Sequence, residues 1–415
     1  MNIAVIIPYL SKNGGTRAIL HILKKIITKK KSKIIIYFCV IPPDLYTKKN
    51  NFKRIFKIGF YLLKHFLIKK IFIDEYKISN NKFIIRYIYN FSLKKNFWNL
   101  QNFKDLKKSE ILISTSFESS FVQDYLCHTK KFSKKSFYFV QHIETWPIYN
   151  NEKNWLKAYK ISKIKKIKLD HAIHKISLKN SYELSFRKMV NETYKKNYRS
   201  IITTSSYLKN CLKELSSTKV KRLTSIGNDT NIFGKRINLK QNNTNKKKLN
   251  IFFIFRSIPW KGDNENYWIL KKLDKKFSNL NFIIMSNNKI ILPKLNNNFE
   301  IHINIDDSEL NLLYWKADIA IFNSYIEGFG SMPLEAMCCK TACVTTDVGA
   351  IRDYAENNKT CFIVNPRDKI KMLKNIIKLI NNKKLINKFK YNSYRAAKKI
   401  NWEKSSNIFL KNINS

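Results

Sequence analysis

Strand-length apolar runs alternate with helical patterns in two successive series. This alternation restricts the chain to parallel α/β architecture more than any other feature does. The first series opens with the strand Asn2–Ile7 and breaks at Asn13, Gly14 and Gly15. It continues as a helix through Ala18, Leu20, Ile22, Leu23, Ile26 and Ile27, then returns as a strand over 34–40. Residues 111–114, 136–141, 200–204 and 221–226 read as later strands, with a helix from Ser206 towards Leu215. A polar stretch over 235–248, rich in Asn, Gln and Lys, reads as a linker. The pattern then restarts. Strands are predicted at 249–255, 282–285, 301–303, 317–322, 342–345 and 361–364. Helices are predicted over 264–273 and 310–315, from Leu334, from Lys369 and from about Trp402. A chain of 415 residues is too long for one compact core. The expected division is a first domain over 1–235, a linker over 236–248, a second domain over 249–395 and a closing helix over 396–415.

The run ADIAIFNSYIEGFGSMPLEAMCCKTAC over 317–343 carries the most chemistry. An apolar strand leads through Gly328 and Gly330 into a helical pattern at Leu334, Ala336 and Met337. The glycines permit φ > 0 and close backbone approach, and Pro333 suits a first helical turn. The amides of Gly330, Ser331 and Met332 would then face outward at a helix N-terminus, where anions bind. Glu327 and Glu335 flank that site, and a carboxylate suits a vicinal diol because it only accepts hydrogen bonds. Phosphates flanked by sugar hydroxyls describe a nucleotide-sugar.

The segment EGFGSMPLEAM resembles the mark of glycosyltransferase family 4, retaining enzymes of the GT-B fold. That resemblance implies two Rossmann-like parallel-sheet domains facing a cleft, the first on the acceptor side and the second holding the donor nucleotide. It also implies a C-terminal helix crossing back to the first domain, and NWEKSSNIFLKNI resembles such a closing segment. The sequence departs from the family where Lys340 stands for a helix-ending glycine and Phe255 for the glycine before Arg256.

The resemblance further assigns roles. Arg256 and Lys261, in FRSIPWKG after the restart strand, would reach the donor diphosphate with Gly330, Ser331 and Met332. An arginine fork and a lysine charge suit a pyrophosphate and its departing charge. Glu335 would hold the ribose and Glu327 the transferred sugar near C3. His142, in YFVQHIETW, would shape the sugar site as a catalytic residue together with Glu327, with Glu144 a weaker option for acceptor activation. Gly14 and Gly15 resemble the family's glycine loop beneath the donor. Same-face substitution is expected, with the leaving phosphate taking the acceptor's proton. No cofactor and no metal is expected; the nearest acidic pair is Asp306 and Asp307. The segment TTDVGAIRDY, with Thr346 and Asp347, resembles a family segment but receives no binding role.

Composition bounds the rest. The 44% hydrophobic fraction supports globular folding. The net charge of +50 permits nucleic acid, anionic membrane or anionic substrates, yet the lysines are scattered as on solvated faces. No RNP-like, zinc-module or helix-turn-helix pattern appears, so no nucleic acid is expected. Seven cysteines give no disulfide framework, and Cys338, Cys339 and Cys343 read as buried small hydrophobes rather than zinc ligands. The opening MNIAVIIPYL reads as a first strand rather than a signal peptide. Phe52, Ile55, Phe56, Leu63, Phe66 and Leu67 form one helical face opposite Lys53, Lys57 and Lys64. That pattern fits an anionic membrane surface or packing on the sheet. The expectation is a cytoplasmic transferase, peripheral on the inner membrane face if that helix meets lipid. It would move a sugar from a nucleotide-diphosphate donor to a glycan or lipid-linked acceptor in bacterial surface polysaccharide assembly. An epimerase of the same fold, a basic RNA-binding protein and a non-catalytic scaffold remain alternatives.

Overall fold

The computed structural model describes residues 1–7, 14–29, 33–40, 83–90, 98–99, 108–129, 135–145, 152–166, 169–174, 176, 181–217, 219–222, 226–229, 232–235 and 248–415. The apolar helix expected within 52–70 and most of the expected linker lie outside the described residues.

The first sheet contains β1 (Asn2–Ile7), β2 (Lys33–Val40), β3 (Phe83–Asn90), β4 (Trp98–Asn99), β5 (Ile111–Ser114), β6 (Lys135–Val140), β7 (Ser200–Thr203) and β8 (Val220–Arg222). Its order is β4-β3-β2-β1-β5-β6-β7-β8, and every pairing is parallel except β3 with β4. Ile3 stands opposite Ile34 on one side and Ile111 on the other, so β1 is central, and Ile3 to Ile7 are buried on both faces. Its nearly unbroken apolar run is what such a position demands.

The second sheet contains β9 (Leu249–Phe255), β10 (Leu280–Ser286), β11 (Asn298–Ile303), β12 (Ile319–Phe322), β13 (Ala342–Thr346) and β14 (Phe362–Val364). Its order is β11-β10-β9-β12-β13-β14, all parallel. Strand 12 begins later than 317, because the Ala317 amide still caps the preceding helix Asp307–Lys316 by donating to Leu313. Strands 3 and 4 and the helices Phe117–Thr129, Glu152–Lys165, Ser181–Tyr194 and Lys383–Ala397 extend the predicted set.

Chain order reverses between β1 and β5 in the first sheet and between β9 and β12 in the second. Ligands of open α/β sheets bind at the carboxyl ends of strands where such reversals occur. The two domains present these ends to each other. The closing helix Trp402–Asn414 returns to the first domain, where Phe409, Leu410 and Ile413 pack among Ile19, Leu23 and Phe139. Tyr325 and Ile326 of the second domain join a first-domain core with Trp155 and Tyr138. The Trp155 ring lies 5.9 Å from Tyr325 and 6.4 Å from Trp260. The interface is therefore a shared apolar core, not a loose hinge contact.

Candidate active site between the domains

The loop Asn323–Gly330 leaves β12 at the second reversal point and feeds the helix Ser331–Cys338. Gly330 caps that helix at φ 80°, and a Cβ there would find only Glu327 carbons at 3.6 Å and beyond. The glycine is needed for its backbone angle, since the space is free. Gly328 is needed for the opposite reason: a Cβ would lie 1.8 Å from the Gln141 carbonyl oxygen of the first domain. The Ser205 hydroxyl donates to Gly328 O at 2.9 Å, and Tyr354 donates to Gly330 O at 2.8 Å. Both lobes thus clamp this loop.

Between them lies a cavity of about 790 Å³. Its walls bring together Gly15, His142, Lys261, Glu327, Gly330, Ser331 and Glu335. Lys261 Nζ sits 2.5 Å from Glu327 Oε1, which also accepts from the Ser324 hydroxyl at 2.7 Å. Gly14 begins the helix Gly14–Lys29. Arg256 and Met332 stand off the cavity wall as a pair, the guanidinium donating to Met332 Sδ at 3.0 Å and to Asn287 at 2.8 Å. Arg256 still acts on the site, because its charge favours the ionised form of Glu335.

Glu335 has its pKa raised to about 7, first by burial and then by the nearby Asp307 carboxylate. A hydrogen bond from Ser331 and the charges of Arg17 and Arg256 oppose the rise. His142 opens onto the cleft but is walled by both domains. Those walls and the Lys261 charge bring its pKa down to about 4, against the pull of Glu327. At neutral pH the imidazole is uncharged and can donate one hydrogen bond while accepting another.

Glu144 is buried and occupied. It accepts from the Phe117 amide at 3.0 Å and from the Tyr138 hydroxyl, so it anchors the start of Phe117–Thr129. Burial, followed by repulsion from Glu118, raises its pKa well above the usual carboxylate range. Asp306 is spent in a capping box at the helix Asp307–Lys316. Asp307 forms an ion pair with Arg17 across the cleft. Thr346 supports the Glu327 loop by donating to Ser324 O at 2.6 Å, and Asp347 pairs with Arg352 at 2.9 Å. Cys338, Cys339 and Cys343 are buried in the second core, and burial raises all three thiol pKa values.

The sequence motifs assign no role to several cavity residues: Arg17, His21, Glu118, Asp229, Trp260 and Trp402. His21 stacks on Trp402 with centroids 4.8 Å apart and planes at 8°. These side chains come from distant chain segments, and apart from His21 their local signal is a place just after predicted strands or near helix starts. Lys340, the departure noted above, adopts φ 55°, the left-handed conformation a glycine would take there. Phe255 is fully buried with its ring 4.6 Å from Tyr267.

Residues 234–396 match the family model described as "Glycosyl transferases group 1". No curated protein sequence matches the chain. Among solved structures, Anabaena HepE in complex with UDP-glucose superposes with a TM-score of 0.65 at 12% identity, covering 100% of this chain and 99% of that one. A glycosyltransferase from Rickettsia africae gives 0.62 at 17% identity, with coverages of 100% and 97%. WaaG, a glycosyltransferase involved in lipopolysaccharide biosynthesis, gives 0.61 at 10% identity, with full coverage of both chains. At these identities the likeness establishes the GT-B fold.

Proposed function

We propose that this chain is a retaining glycosyltransferase that moves a sugar from a nucleoside-diphosphate donor to a hydroxyl of a glycan or lipid-linked acceptor. The observation that carries the reading is the convergence of Lys261, Glu327 and Glu335 with the Ser331 helix N-terminus on one wall, facing His142 on the other. In this reading the Ser331 and Met332 amides and Lys261 receive the diphosphate, with Arg256 reinforcing the field from behind. Glu335 accepts from the ribose hydroxyls. Glu327 accepts from the transferred sugar, and His142 bonds a sugar hydroxyl from the facing lobe.

The bond from the anomeric carbon to the diphosphate oxygen breaks, and the acceptor oxygen bonds that carbon on the same face. The acceptor's proton passes to the leaving phosphate oxygen. Lys261 already bonds Glu327, so donor entry exchanges that partner for phosphate. The family match over 234–396, and UDP-glucose bound by HepE, support a nucleotide-sugar donor. The involvement of WaaG in lipopolysaccharide biosynthesis supports surface polysaccharide assembly as the setting. No helix among the described residues is long and apolar enough to cross a membrane.

Thermal shift against UDP-, GDP- and dTDP-sugars tests the donor. One class should raise Tm by a few degrees at about 100 times its Kd. Lys261→Ala should weaken that class by roughly 10- to 100-fold, as lost charge-assisted bonds do. Glu327→Gln should keep nucleotide binding but lower sugar turnover by about 100-fold or more. Indifference of the wild type to every nucleotide-sugar, combined with salt-sensitive RNA binding, would instead favour a nucleic-acid role.

A further inference from the structure

The edge strand β11 combines two features, a lack of basic residues that it shares with 109–129 and 317–339, and an exposed apolar face. Between Lys294 and Lys316 no lysine or arginine occurs, although the chain holds 79. Phe299, Ile301 and Ile303 alternate along one face and remain 47%, 38% and 44% exposed. Edge strands are ordinarily blunted by lysine, proline or a bulge, and this one carries none of the three. Among the described residues, β11 pairs only with β10, leaving its outer edge open.

The polarity of that edge follows from one bond. The Asn304 amide donates to Ser286 O, so the backbone groups of Asn304, His302 and Glu300 point inward to β10. In a strand the alternate residues Phe299, Ile301 and Ile303 must then present their N–H and C=O groups outward. Among the described residues His302 Nε2 has no hydrogen bond, only the Glu300 carboxylate of its own strand at 3.4 Å, which is shared with Lys316 at 3.7 Å.

We propose that β11 pairs antiparallel with the same strand of a second copy, about a two-fold axis through Ile301. This register follows from the outward groups. Ile301 meets its symmetry mate and Phe299 meets Ile303, each as a hydrogen-bonded pair on the apolar face. On the other face Glu300 meets His302 as the closer, non-hydrogen-bonded pair, which sets a carboxylate opposite an imidazole across the axis. The contact is self-complementary, as an isologous interface must be. It joins two second-domain sheets and lies on the edge away from the β9–β12 reversal point, leaving both clefts open. One short strand buries less than the roughly 1,200–2,000 Å² of a standard interface, so the dimer should dissociate in the micromolar range.

Sedimentation velocity of the full chain across roughly 1–100 µM should resolve a concentration-dependent shift from monomer to dimer. Ile301→Lys should abolish the shift while leaving circular dichroism and melting unchanged, since the side chain is already exposed. Glu300→His, which sets two imidazoles face to face, should weaken the dimer, and the double variant E300H/H302E should recover it. A wild type that stays monomeric, or a dimer that survives I301K, would overturn the proposal. Failure of the double swap to recover what E300H loses would overturn the register. None of these outcomes depends on the proposed activity.

Discussion

At the residue scale, Glu335 makes the sharpest prediction. Its folded-state pKa of about 7 exceeds the ordinary 4.5, so between these values the folded chain holds more protons than the unfolded one. Stability from this group therefore falls as pH rises from 4.5 to about 7, and levels off above. Ligand binding should run the other way. A ribose diol donates hydrogen bonds, and the fully accepting carboxylate becomes the majority form only above about pH 7. Nucleotide affinity measured by calorimetry should accordingly rise by up to about tenfold from roughly pH 6 to pH 8. Glu335→Gln should bind more weakly and lose the slope. A wild type with flat affinity would remove Glu335 from ribose recognition. The candidate residues of the 327–335 run were legible because loop and helix are contiguous in sequence. Asp307 and Arg17, which after burial add opposing charge effects on Glu335, were not, because each reaches it from a different strand end.

At the element scale, the two loop glycines separate backbone conformation from domain contact. Gly330→Ala keeps room for its methyl but holds a side chain at φ 80°. It should cost about 1 kcal/mol in denaturant unfolding, with the domains still apposed. Gly328→Ala meets the Gln141 carbonyl, a backbone atom of the other lobe that cannot step aside. The lobes must separate there, stretching the Ser205–Gly328 bond. Sugar turnover should fall by about 100-fold or more, since small displacements at a reacting centre cost that much. Equal activity in the two alanine variants would contradict this division. Either glycine could be read in the sequence as a loop residue. Their different duties could not, because one depends on Gln141, far away along the chain.

At the scale of the whole molecule, the closing helix ties the chain's end to its beginning. Phe409 is fully buried and meets Phe139 edge-on at 5.6 Å, within the core built around β1. Phe409→Ala should destabilise the first domain by about 3–5 kcal/mol although the residue follows the second domain in sequence. Urea unfolding followed by circular dichroism measures this, and a loss below about 1 kcal/mol would mean that the helix docks only superficially. The shared core around Trp155, Trp260 and Tyr325 should make both domains respond together. Arg17 with Asp307, and the Ser206 amide with Asp353 at 2.8 Å, add polar ties across the same interface.

What the amino-acid sequence determined alone is whatever short-range periodicity encodes: buried parallel strands, the helices after them, the glycine turns and the restart at Leu249. Strand order lay beyond it, because parallel strands are joined through long crossovers and nothing local specifies which neighbour a strand takes. Only the folded molecule decided that β5 lies beside β1 and β12 beside β9, and hence which loop ends share a cleft. Desolvation and charge at that meeting point then raised the pKa of Glu335 and lowered that of His142 from their ordinary values.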